Sequence, residues 1–113
     1  MRLVLLLAIA TAAAFAAKRE LPWERNHLRV GQDLYRENCV VCHDIDKPQK
    51  DSKKLGPSFF ELFKRTRMPI ANQPPSRAYV LTRIRFGGSL MPAFQKKMTA
   101  AEMDTLLDYM ESR

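Results

Sequence analysis

The sequence predicts an all-α domain, and three observations carry that prediction. Apolar residues recur at helical spacing in three to four segments, capping or breaking residues bound those segments, and no run alternates as a half-buried strand would. One short stretch organises the rest. Cys39-Val40-Val41-Cys42-His43 sets two thiols and an imidazole at the end of the first helical segment.

Each element can be justified in order. Residues 17–26 contain Pro22 and several charges and read as an N-terminal arm, with Trp23 folded back onto the domain. A first helix is expected over residues 26–41, with Asn26 as N-cap and Leu28, Gly31, Leu34, Tyr35 and Asn38 near one face. An interior glycine costs a helix about 1 kcal/mol relative to alanine, so Gly31 signals that another backbone comes close. Residues 44–57 form a lysine-rich loop ending in Leu55-Gly56-Pro57. Ser58 and Glu61 have the spacing of a capping box for a short helix to about Arg65, with Phe59, Leu62 and Phe63 as its apolar contacts.

Residues 67–75, with Met68-Pro69 and Pro74-Pro75, cannot continue that helix and should wrap as a loop. Ser76 can cap a helix over residues 77–86 in which Ala78, Leu81 and Ile84 face a core while Arg77, Arg83 and Arg85 face outward; Gly87-Gly88 ends it. Ser89 to Phe94 is irregular and apolar. The last helix has the clearest signature. Thr99 and Glu102 make a capping box, Met98 can staple onto Met103, and Met103, Leu106, Leu107 and Met110 form a core-facing stripe.

The apolar run from Leu3 to Ala17, preceded by Arg2 and followed by Lys18-Arg19, has the build of a secretory signal peptide. It falls short of the ~20 residues that span a bilayer, and Ala14-Phe15-Ala16 offers small residues for cleavage after Ala16. A cleaved leader over residues 1–16 implies a periplasmic protein without stable membrane insertion. What remains makes one small domain, residues 27–113, expected as a monomer.

The chain carries a formal net charge of +7, and the basic residues are concentrated: residues 47–97 hold twelve lysines and arginines against two acids. That asymmetry points to an acidic partner or an anionic surface. Nucleic acid is excluded as a partner, since an exported chain rarely meets it and no nucleic-acid motif is present.

Cys-x-x-Cys-His is the attachment signal for haem c: each thiol can add across a vinyl group and the adjacent imidazole can reach the iron. A disulfide, a thiol redox pair or a zinc site would use similar residues. No β-α-β pattern supports a thioredoxin-like protein, and a zinc site would lack a fourth ligand. For a sixth iron ligand, Met68 and Met91 both precede proline, whereas Met98, Met103 and Met110 have core roles and His27 lies on or before the first helix.

The chain resembles the class I cytochrome c family, the small His/Met-ligated electron carriers. The resemblance rests on Gly31, Tyr35 and Cys39 at four-residue intervals ahead of the haem motif, on Gly56 to Arg65, and on Leu106-x-x-Tyr109-Met110. Glu61 departs from the pattern, because the family often has glycine there. The resemblance implies a cytochrome c fold of three to four helices around one covalent haem, with the N- and C-terminal helices crossing at Gly31. It implies haem c held by Cys39 and Cys42, His43 as proximal ligand with its second ring nitrogen on the Pro57 carbonyl, Arg65 near a haem propionate, and Tyr79 as a weaker candidate for that role. Met91 is the expected sixth ligand, since it follows the Gly87-Gly88 hinge and shares in the resemblance.

The expected function is one-electron transfer between redox proteins with acidic docking surfaces, without catalysis. A haem subunit or enzyme whose distal position opens to a small ligand is the alternative.

Overall fold

A computed structural model describes residues 21–68 and 71–113. The leader read over residues 1–16, its cleavage point and residues 17–20 of the arm lie outside the described residues, as do Pro69 and Ile70. The described chain forms three α-helices, α1 (Pro22–Asn38), α2 (Arg77–Phe86) and α3 (Ala100–Glu111), with two short 3-10 turns at Gln49–Asp51 and Leu62–Lys64. No strand occurs among the described residues, so the all-α prediction holds.

Helix α1 begins earlier than the periodicity suggests. Pro22 stands in its first turn, where a missing N–H costs nothing, and the Glu24 carboxylate accepts a hydrogen bond from the Leu21 N–H at 2.9 Å. Residues 22–26 are therefore helix and not an extended arm, and Trp23 is 65 % exposed instead of folding back. The helix ends at Asn38, three residues before the expected boundary, and the chain then tightens into a turn around the cysteines.

Gly31 lies where α1 crosses α3. A Cβ at this position would sit 2.5 Å from the Tyr109 Cβ and 2.6 Å from the Thr105 carbonyl oxygen. The glycine is thus the condition for close approach of the two helices. Below the crossing, Met103, Leu106, Leu107 and Met110 are buried together, as their spacing predicts, and Tyr109 joins them against Tyr35 with ring centroids 6.1 Å apart. Full burial of a side chain such as Leu106 or Leu107 contributes about 1.5–3 kcal/mol. Thr99 and Glu102 close the capping box of α3 in both directions.

Ser76 caps α2 by accepting from the Tyr79 N–H. Its core face is Val80 and Ile84 with Leu81 half-buried, while Ala78 is exposed, contrary to the sequence reading. Arg77 also departs from expectation. Its guanidinium reaches α3, 2.8 Å from Asp108 and 3.2 Å from Glu111, and Asp108 in turn holds His27 of α1 at 2.7 Å. One polar cluster therefore ties all three helices. Burial alone would raise the Asp108 carboxyl, but the bonds from His27 and Arg77 outweigh it and hold the group below the usual aspartate range.

The Ser58–Glu61 capping box does not form. Ser58 is fully buried, donates to the Lys47 carbonyl and accepts from the Phe60 N–H, so it organises a turn instead of starting a helix. Glu61 adopts a left-handed backbone (φ 48°, ψ 35°), which costs a residue with a Cβ roughly 1–2 kcal/mol. This is the position where the family that the sequence resembles often has glycine. Glu61→Gly is expected to raise stability by about 0.5–1 kcal/mol, since the exposed side chain contributes only a 3.5 Å pair to Lys64. Thermal unfolding followed by circular dichroism checks this, and a lower midpoint in the variant would contradict it.

Candidate haem site

The site is built where the end of α1 meets the loop that follows it. The Cys39 N–H bonds the Tyr35 carbonyl at 2.8 Å, and the Cys42 and His43 N–H groups both return to the Cys39 carbonyl. This turn keeps the two thiols and the imidazole on one short, hydrogen-bonded stretch. Neither cysteine is in a disulfide, and burial pushes the Cys39 thiol up to about 12.

His43 is buried, with its Nδ1 2.7 Å from the Pro57 carbonyl oxygen. That acceptor fixes the tautomer with the proton on Nδ1 and leaves Nε2 free to ligate iron. Burial lowers the imidazole pKa, the Pro57 bond opposes that shift and Lys54 adds to it, so the neutral ligating form is favoured. The sequence-predicted pairing of His43 with Pro57 is therefore present.

Two neighbours that the sequence reading named, but not as part of the site, shape the same ring. A Cβ on Gly56 would lie 2.6 Å from His43 Nδ1 and 2.8 Å from Nε2, so only glycine leaves the imidazole its place. Phe59 stacks on the ring at 4.3 Å between centroids. Gly56 and Phe59 stand on either side of Pro57 in the sequence, and the glycine was the available signal. Tyr35 adds a hydrogen bond from its hydroxyl to the His43 carbonyl at 2.7 Å, a contact its place on the α1 core face did not announce.

The remaining predicted residues are distributed around this centre. Met91 is half-buried and packs against the core cluster, and its carbonyl accepts from the Gly88 N–H at 2.9 Å. Gly87 is needed there, since it has φ 70° and a Cβ would lie 2.8 Å from the Pro92 carbonyl carbon. Met68 is also half-buried against the core, in a loop closed by its own N–H to the Gln73 carbonyl. Arg65 is half-buried and donates to the Phe60 carbonyl at 2.6 Å; it lines a cleft of about 380 Å³ with Gln49, Lys64 and Arg67. Tyr79 is bonded by Arg83, 3.0 Å from its hydroxyl. His27 is held by Asp108 on the outside of the helix crossing.

The donor set fits haem c. Two free thiols at the required spacing adjoin an imidazole whose far nitrogen is anchored, and glycine keeps space at the ring. No helix among the described residues is long and apolar enough to cross a membrane.

Comparison with curated proteins and with solved structures gives no match. Comparison with protein families does: the family described as "Cytochrome C oxidase, cbb3-type, subunit III" matches residues 26–110, from early α1 to the last turn of α3. The match covers most of the chain and includes every residue of the thiol–imidazole site. The chain belongs to this family of c-type cytochromes, proteins of haem c electron transfer.

Proposed function

We propose that the protein is an exported one-electron carrier whose haem c is ligated by His43 and Met91. The observation that carries the reading is the anchored imidazole: His43 Nδ1 on the Pro57 carbonyl, with Gly56 leaving room beside the ring. A haem held there would supply a reversible one-electron iron couple, and imidazole together with thioether ligation would favour its ferrous form. The protein's own contribution would be to fix the His43 imidazole and to offer the Met91 thioether as a second ligand. Met91 suits the second position because Gly87 and Gly88 turn the chain tightly before it and the Gly88–Met91 bond holds its backbone.

The surface supports a charged docking encounter. Lys47, Lys53, Arg67, Arg83, Arg85, Lys96 and Lys97 are exposed and have no acidic partner among the described residues. Phe86 and Leu90 are exposed among them. Small transient redox contacts rely on such charge for fast encounter, so the partner should present acidic side chains. The family's description names a subunit of an oxidase, and we extend the reading to a large oxidase complex as the partner.

The same description supports a second reading, a haem subunit whose distal position opens to a small ligand. The visible spectrum separates the two. The far-red band of methionine-sulfur ligation to ferric haem is expected in the wild type and in Met68→Ala but absent from Met91→Ala. Its absence from the wild type, with ready carbon monoxide binding by the ferrous protein, would establish the open-site reading instead.

A further inference from the structure

The turn that carries Cys39, Cys42 and His43 follows the end of α1 at Asn38, so its carbonyls lie outside the helical ladder. Those of Cys42, His43 and Asp44 are met by groups outside the turn. The Gly56 N–H bonds the Cys42 carbonyl at 2.7 Å, the Phe59 N–H bonds the Asp44 carbonyl at 2.7 Å, and Tyr35 takes the His43 carbonyl. Lys54 does the rest with a side chain. Its ammonium donates to the Val40 carbonyl, between the two cysteines, and lies 3.4 Å from the His43 carbonyl and 3.1 Å from the Asp44 carboxylate.

Unlike the exposed lysines of the same loop, Lys54 is drawn in: its side chain is 29 % exposed and that of Asp44 14 %. Asp44 is itself held by the Ser52 hydroxyl at 2.9 Å. A lysine placed for solubility or for docking would not be bound to two main-chain carbonyls and a half-buried carboxylate.

We propose that Lys54 is a positioning residue for the haem-binding turn: its ammonium holds the Val40 and His43 carbonyls and sets a fixed positive charge beside the proximal histidine. This rests on the electron-transfer reading above. Reduction adds one electron to the iron, breaks no bond and lowers the charge of the site by one. A fixed cation nearby therefore favours the reduced state, and the Asp44 carboxylate opposes it. The pair together trims the midpoint potential, and the lysine also keeps the cysteine–histidine turn closed.

The test is equilibrium redox titration of the haem-loaded protein, with unfolding by denaturant alongside. Lys54→Met is expected to lower the midpoint potential, a change of about three- to tenfold in the electron-exchange equilibrium, where tenfold is 59 mV for one electron. Asp44→Asn is expected to raise it, the double variant to return toward wild type, and Lys54→Arg to keep a potential near wild type. Lys54→Met should also unfold at lower denaturant concentration than Lys54→Arg. Should Lys54→Met accumulate no haem protein, Asp44→Asn still decides, because a potential equal to wild type there removes the electrostatic role. An intact couple indifferent to both single substitutions overturns the proposal alone. A haem-loaded wild type without a reversible one-electron couple overturns it together with the electron-transfer reading.

Discussion

Gly56→Ala is expected to keep the helices and lose haem ligation, with about 10–100-fold less ligated haem than wild type. The added methyl would occupy the position of the imidazole edge, 2.6 Å from Nδ1 and 2.8 Å from Nε2. His43 would have to rotate or withdraw, and either movement breaks the bond to the Pro57 carbonyl that orients it. The two thiols are untouched, so covalent attachment and axial ligation separate in this variant. Covalent haem per chain and the Soret spectrum of the same preparation report the two quantities. Normal ligation in Gly56→Ala would show that the imidazole does not sit as described.

Gly31→Val should be the most damaging substitution away from the haem site. Its Cβ alone falls 2.5 Å from Tyr109 Cβ and 2.6 Å from the Thr105 carbonyl, atoms of a helix backbone and its first side-chain carbon that cannot swing aside. The helices must part, which opens the cluster of Met103, Leu106, Leu107 and Met110. Overpacking of this kind costs about 1–3 kcal/mol and sometimes more. For a domain of this size each kcal/mol lowers the melting midpoint by roughly 4–8 °C. Gly31→Ala should lose less, because alanine recovers about 1 kcal/mol of helix preference. A melting midpoint for Gly31→Val within a degree or two of wild type would rule out the close crossing at this glycine.

Helix α3 and the His43–Pro57 pairing were legible before any coordinates, for different reasons. In α3 the local signals agree: a complete capping box and an apolar stripe at one period point to the same helix. The Pro57 carbonyl followed from resemblance, since nothing in a proline's own chemistry designates its carbonyl as a histidine acceptor. The misread places share a different cause. Ser58 and Glu61 have the spacing of a helix start, yet Ser58 is recruited by the Lys47 carbonyl across the loop and Glu61 is turned left-handed. Asn26 looked like a cap because such residues usually are caps, but Pro22 and Glu24 start the helix a full turn sooner. Lys54 was one of four lysines in a polar loop, and only the fold distinguishes the one that reaches back to the cysteine turn.

The crossing of α1 with α3 also governs when this domain can form. The His27–Asp108 contact at that crossing joins residues 81 apart in sequence. Closing so long a loop carries an entropic cost that grows as about (3/2)RT ln n, and it must be met before the crossing returns any burial. Helix α3 follows α1 in the chain, so a chain that is still emerging exposes Cys39, Cys42 and His43 until α3 arrives. The window in which attachment machinery can reach both thiols is then set by how soon α3 can dock.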